Sequence, residues 1–188
     1  MSGQPTLHTR RLLLRPLALA DANAVTRLAG DRRIADTTLL IPHPYVDEAA
    51  ETFITGVTKD WADGKSAVFA IAWLESAELC GTIGLSVERK HDRAEMGYWV
   101  GVPYWGQGVC TEAAAKLLEF GFTALNLHRI HAHHFSRNPA SGRVMQKLGM
   151  KHEGRLRQHI KKWDQHEDVE VYGILRAEWE AAQGSPGR

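Results

Sequence analysis

Residues 103–118, PYWGQGVCTEAAAKLL, place two glycines one residue apart, Gly106 and Gly108, directly before a run with helical spacing. A glycine turn that opens a helix presents unbonded backbone N–H groups and the positive end of the helix dipole, which suits a phosphate group. Three kinds of phosphate loop can be compared. A nucleotide P-loop needs a lysine and then Ser or Thr after its last glycine, and here Val109 and Cys110 follow Gly108. A dinucleotide fingerprint needs glycine or alanine three residues after the second glycine, and that position is Thr111. The third kind is a diphosphate held by backbone amides alone, where small residues let the chain approach the ligand. A turn with no ligand stays open beside it.

Histidines offer a second chemistry. In HRIHAHH (128–134), strand alternation puts His131 and His133 on one face and His134 on the other. Two histidines on one face suit a metal, but no third ligand is evident in the sequence. The expectation is therefore no metal and ordinary strand-surface histidines, with catalytic use as the remaining option. The only two cysteines, Cys80 and Cys110, make neither a disulfide framework nor a zinc knuckle.

The elements that position these residues follow from periodicity and punctuation. RRLLLRPL (10–17) reads as a first strand stopped by Pro16, and 19–30 as a helix with Asp21 as N-cap and Gly30 as stop. A second helix is expected over 47–62, after IPHP and before Gly64. Residues 66–74, 78–89 and 93–102 read as three strands whose short connections imply an antiparallel meander. After the glycine turn, Ala113, Leu117, Phe120, Ala124 and Leu125 carry helical spacing over 109–125. A strand is expected at 128–135. A helix follows over 138–149, with Asn138 as N-cap, Pro139 at its first position and Gly149 at its stop. Two more strands are expected within 151–162 and 166–175, and the closing GSPGR should fray. The fold class is α/β (α+β): a single domain over 1–188, ordered over about 6–181, with a mixed, mostly antiparallel sheet of about seven strands flanked by helices.

Composition narrows the function classes. The 188 residues are 44% hydrophobic and 24% charged, with net charge +1, ordinary values for a globular domain. No window approaches the roughly 18 apolar residues of a membrane span. The N-terminal MSGQPTLHTRRLLLRPL lacks a signal-peptide pattern, so the expectation is a cytoplasmic protein with no membrane partner. From His128 to Lys162 there are nine Lys/Arg against one acid, Glu153, which makes that segment +8. Such a surface attracts anionic ligands or is simply a solvated face.

Two linked motifs then resemble a known family. EMGYWV (95–100) followed by WGQGVCTEA (105–113) is similar to the acetyl-CoA loop of the GNAT superfamily of N-acyltransferases. NPASGRVMQKLGM (138–150) is similar to its second signature, which opens with Asn and closes on Lys-Leu-Gly and a hydrophobic residue. The resemblance spans nearly the whole chain and is closest to the RimJ/RimL-like branch, named for acetylation of ribosomal-protein N-termini. The chain departs from the general pattern at three places. Trp105 stands where many members carry Arg or Gln, Cys110 where Gly or Ala is usual, and Met145 where many have a proton-donating tyrosine.

What the resemblance implies is attack of a primary amine on acetyl-CoA, through a ternary complex and without a metal. It assigns the CoA pyrophosphate to backbone amides around Gln107, Gly108, Val109, Cys110 and Thr111. It pairs the pantetheine arm with the strand end at Val100 and Val102, and puts the cofactor's thiol end near Asn138 and Ser141. The reaction asks for a base toward the ammonium and an acid toward the departing thiolate. Ser141, three residues after Asn138 and on the same helix face, is the expected acid. Glu95, in the strand leading to the loop and on one face with Gly97 and Trp99, is the expected base, an ion pair with Arg93 being the alternative. Trp99 and Trp105 are expected as core or as walls of the cleft. The acceptor is a protein N-terminus or a small amine such as a polyamine, amino acid or antibiotic. The loops 36–49 and 160–168 that set this choice carry no readable code. The opposing reading is a non-catalytic acyl-CoA or RNA-binding module, supported by the missing tyrosine and the +8 segment. Nucleic acid is disfavoured, because that segment lacks the aromatic pattern of an RNA-binding sheet. Nothing in the sequence fixes the oligomeric state, a homodimer included.

Overall fold

The computed structural model describes residues 3–184, apart from the side chain of Asp47. The strands are β1 (Leu7–His8), β2 (Leu12–Pro16), β3 (Ser66–Trp73), β4 (Leu79–Glu88), β5 (Arg93–Val100), β6 (Arg129–Phe135), β7 (Lys151–Lys162) and β8 (Gln165–Leu175). The helices are α1 (Ala22–Ala29), α2 (Arg32–Thr37), α3 (Asp47–Ala62), α4 (Val109–Thr123), α5 (Pro139–Lys147) and α6 (Arg176–Gly184). All strands join one sheet in the order β1-β2-β3-β4-β5-β6-β8-β7. Every pairing is antiparallel except β5 with β6.

The meander β2–β5 and the crossover through α4 match the expected order of elements. The differences are local. The sheet has eight strands rather than seven because Leu7–His8 folds back on Leu13 and Leu14. The helix expected over 19–30 begins with a 3₁₀ turn, Leu19–Asp21. Asp21 does not cap α1. Its carboxylate accepts from the Ala18 N–H at 2.9 Å and pairs through both oxygens with Arg15 at 2.7 Å. The short helix α2 is started by Asp31, which accepts from the Arg33 N–H. α4 stops at Thr123, which leaves Ala124 exposed while Leu117, Phe120 and Leu125 are buried. Residues 182–184, expected to fray, belong to α6; the rest of that expected tail lies outside the described residues. No helix of the described residues is long and apolar enough to cross a membrane.

Alternation along the strands builds a separate hydrophobic layer on each face. Phe69, Ile83, Leu85, Met96 and Val100 face α4 and α5, packing on Leu117, Leu118 and Met145. Ala70, Val68 and Trp99 face α1 and α3, packing on Val25, Leu28 and Ile54. Each layer gains from the removal of apolar area from water, at roughly 25 cal/mol per Å². The sheet is thus covered on both sides, and a site passing through it opens to two different environments.

Helix α5 shows how the second motif folds. The Asn138 side chain accepts from the Ser141 N–H, and Pro139 occupies the first helical position, where its missing N–H costs nothing. At the other end Gly149 sits at φ +78°. Its N–H donates to the Gln146 carbonyl at 3.0 Å and the Met150 N–H to Met145 at 3.1 Å, a Schellman closure with buried Met150 as its apolar anchor.

Candidate active site

The site begins where two strands part. β5 and β6 pair only over Arg93–Glu95 and Arg129–His131. Beyond Glu95 they diverge, and the gap opens into a cavity of about 1240 Å³. The Gly101 N–H bonds the Cys80 carbonyl on β4, so alternation turns the N–H groups of Tyr98 and Val100 toward the gap. The Val100 carbonyl there accepts from the Trp105 indole at 2.7 Å.

On the α4/α5 face lies the glycine loop. Gly106 and Gly108 have φ +75° and +78°, a left-handed backbone that favours glycine. The Glu112 N–H makes the first bond of α4, to the Gly108 carbonyl at 3.0 Å. The N–H groups of Val109, Cys110 and Thr111 are therefore left without helical partners at the positive end of a 15-residue helix. The loop is fastened from behind. Glu112 accepts from the Thr9 hydroxyl at 2.6 Å and from Arg11 at 2.7 Å, while Arg11 also donates to the Gln107 carbonyl at 3.1 Å. Unbonded amides, small residues and a rigid backing fit a diphosphate bound without metal or lysine. Among the described residues no group of three or more His, Cys, Asp or Glu is arranged to hold a metal ion.

The same half of the cleft holds Asn138 and Ser141. The Ser141 hydroxyl lies 2.8 Å from the Tyr98 hydroxyl, and Tyr98 also donates to the Ser141 carbonyl at 3.2 Å. Burial pushes the Tyr98 phenol well above its ordinary pKa, so it stays protonated. Cys110 lines this wall as a half-buried thiol whose pKa is pushed up to about 12 by desolvation, too high to act as a thiolate near neutral pH.

On the other face of the sheet, toward α3, lies a chamber walled by Trp99, Tyr45 and Phe53. Glu95 stands at its floor. Its Oε1 is 2.9 Å from His133 Nδ1, and its Oε2 is 3.9 Å from His131 Nε2. The hydrogen bond from His133 holds the Glu95 carboxyl below its usual range, and the same bond raises His133. Burial lowers His131, keeping it neutral. Arg93 pairs instead with Glu88, so the alternative reading of Glu95, an ion pair with Arg93, is not realised. Gly97, in the middle of the sheet, is nonetheless exposed. A Cβ built there would meet nothing within 4 Å.

The expected residues therefore divide. Glu95, Val100, Gly108, Val109, Cys110, Thr111, Asn138 and Ser141 line the one cleft. Val102 and Gln107 do not. β5 ends at Val100, and Val102 enters a 3₁₀ turn whose carbonyl accepts from the Trp105 N–H. The Gln107 side chain folds onto the Pro103 carbonyl, while its backbone N–H, the group expected to bind, lies in the loop between Gly106 and Gly108. Tyr98 escaped the sequence reading, and His133, for which catalytic use was left open, was read without its partner. Tyr98 lies one step from Gly97 on the opposite face of β5. His133 becomes a neighbour of Glu95 once β6 lies parallel to β5. That second signal was present, since a strand–helix–strand crossover sets the two strands side by side.

Four of the nine basic side chains of the 128–162 segment are ion-paired. Arg129 pairs with Glu153, Arg137 with Asp36 and Glu167, Lys151 with Glu178, and Arg155 with Asp168 and Glu170. The Lys162 ammonium donates to the carbonyls of Leu39 and Ile41, tying the tip of the β7–β8 hairpin to the loop above the chamber.

Residues 11–151 match a family model described as Acetyltransferase (GNAT) domain. The uncharacterized N-acetyltransferase p20 of Bacillus licheniformis is 33% identical over 175 residues, covering 93% of this chain and 98% of that protein. YdaF of Bacillus subtilis (strain 168), provisionally named a ribosomal N-acetyltransferase, is 30% identical over 135 residues, covering 70% of this chain and 74% of that one. A crystal structure of a GNAT-family acetyltransferase from Bacillus anthracis superimposes with a TM-score of 0.82 at 26% identity, covering 92% of this chain and 99% of that chain.

Proposed function

The chain belongs to the GNAT acetyltransferases, which makes it an enzyme of acetyl transfer to an amine, and from that premise we propose that its acceptor is the α-amine of a protein N-terminus, acetylated by direct attack within a ternary complex. The observation that carries this reading is the cleft through the sheet. Its α4/α5 side offers an amide cradle and a hydroxyl pair, and its α3 side offers an aromatic chamber with a carboxylate–imidazole pair. Two substrates entering from opposite faces meet where β5 and β6 part, with no covalent enzyme intermediate required. The provisional ribosomal name of YdaF favours a protein N-terminus over a small amine. The exposed Leu40 and Val46 on the chamber's lining suit contact with a chain end that continues into solvent. We place the reaction in the cytoplasm.

In this reading the amides of Val109, Cys110 and Thr111 hold the CoA pyrophosphate, and the open edge of β5 at Tyr98 and Val100 takes the pantetheine arm as an added strand. Acetyl-CoA supplies the activated acyl group. The Val100 N–H is placed to donate toward a developing oxyanion. The Ser141 hydroxyl, held 2.8 Å from the Tyr98 hydroxyl, is placed to give its proton to the departing sulfur. Incubation with ¹³C-labelled acetyl-CoA and a panel of amines, read by mass spectrometry, tests the proposal. The panel comprises peptides beginning with Ser, Ala or Met, together with spermidine, lysine and an aminoglycoside. Label on peptide α-amines is the expected result. Label confined to spermidine or another small amine overturns the acceptor assignment, and binding of CoA without any transfer overturns catalysis.

A further inference from the structure

We infer that His133, oriented by Glu95, is the base that takes the proton from the incoming amine, with Glu95 a positioning residue rather than the base. The inference rests on the acceptor reading of the chamber. Its footing is geometric. Glu95 is the last residue of β5 paired with β6, and His133 lies two residues past that pairing, where the strands have parted. Both side chains line the cavity. Glu95 Oε1 engages His133 Nδ1 at 2.9 Å. In the neutral ring this puts the hydrogen on Nδ1 and the lone pair on Nε2. The next residue of β5 on that face is Gly97, with nothing within 4 Å of where its Cβ would stand. Room for an amine therefore adjoins the pair.

The surroundings single out His133 over its neighbours. The Glu95 carboxylate already accepts from His133, and that bond lowers its basicity; a base works best when its pKa lies near the working pH. The charged groups around the ring are few. On its own strand are His131, kept neutral by burial, and Arg129, bound to Glu153 of β7. From β5 come Glu95 itself and Arg93, bound to Glu88. From β8 the facing residues are Val169, Val171 and Gly173, none titratable. Across the chamber, Glu48 and Asp60 line the same cavity.

The proton account balances. One ammonium N–H bond breaks as the Nε2–H bond forms, and the imidazolium is held by the Glu95 carboxylate. The freed lone pair forms the C–N bond as C–S breaks. The second proton lost from nitrogen is matched by the one gained at sulfur, and His133 returns its proton to solvent. The sum is an amide, a thiol and one proton released.

The pH consequence has a definite sign. Glu95 raises His133 above the ordinary 6.5 of a histidine, so kcat/KM falls as pH drops through that raised midpoint. Two measurements decide the matter. Histidine ¹H–¹⁵N NMR of the wild-type chain reads the tautomer without any acceptor. Rates are then measured with whichever amine of the panel is acetylated. The expected tautomer is Nδ1–H, with a titration midpoint that falls in Glu95→Gln. His133→Gln, or His133→Asn should the first not fold, is expected to lower kcat about 100-fold or more with CoA affinity unchanged. Glu95→Gln is expected to move the acid limb of the profile to lower pH. An Nε2–H tautomer, a midpoint indifferent to Glu95→Gln, or wild-type rates in the His133 variants each overturn the inference. Absence of turnover by the wild-type chain on every amine counts instead against the N-acetylation reading, and the NMR result then stands alone for the pair.

Discussion

Ser141 takes its place from two bonds. Its N–H is held by the Asn138 side chain and its hydroxyl by Tyr98. The first is a backbone bond and survives truncation of the serine, so Ser141→Ala isolates the hydroxyl. We expect it to lower kcat about 100-fold while leaving acetyl-CoA affinity unchanged. Steady-state kinetics beside calorimetric titration of CoA check this, and an unchanged kcat removes Ser141 from the reaction. Tyr98→Phe should give a smaller loss, because the serine keeps its own proton. Gly97 makes the complementary case on the opposite face of the sheet. Gly97→Leu places a side chain in the open space above β5. It is expected to raise KM for the amine at least tenfold while CoA binds as before; equal affinity for the amine contradicts the placement of the acceptor.

At the scale of elements, the second motif proves to be largely helix punctuation. Asn138 starts α5, and Gly149 with Met150 closes it. Asn138→Ala is expected to lower stability by about 1 kcal/mol, and Gly149→Ala, at φ +78°, by about 1–2 kcal/mol. Denaturant midpoints measure both. These signals were legible because caps act over a few residues. The glycine loop was legible for the same reason, since the absent lysine and third glycine are local facts. Other features depend on distant partners and were not. Asp21 resembles a cap, yet Arg15 claims its carboxylate. The alternative reading of Glu95 paired it with Arg93, two residues away, but the parallel placement of β6 gives it His131 and His133 instead. Val102 looked like strand, but the chain turns after Val100, and the Trp105 N–H takes its carbonyl. The chamber above Gly97 exists only because two strands diverge, which no periodicity encodes.

At the scale of the molecule, a sheet covered on both faces is opened at one seam, and the two sides of that seam differ in chemistry. The order of the elements was readable from alternation and helical spacing, whereas the insertion of β8 between β6 and β7 was not, because both long strands carry similar patterns. In the +8 segment, read as a possible anion-attracting face, four of the nine basic side chains pair with acids, from Asp36, β8, α6 and Glu153 of β7. In the placement we propose, CoA bridges the loop before α4, the β5 edge and α5, so its binding should stabilise the whole fold. At 100 times its dissociation constant the expected gain is about 2.7 kcal/mol, read as a rise in the thermal midpoint; no rise would mean that CoA does not bind the native chain. The most direct test of the account is a crystal structure grown with CoA. We expect the pyrophosphate at the amides of Val109, Cys110 and Thr111, the pantetheine along Tyr98–Val100, and the sulfur beside Ser141 with Glu95 and His133 free on the opposite face. CoA lying in the α3-side chamber, against Glu95 and His133, would contradict it.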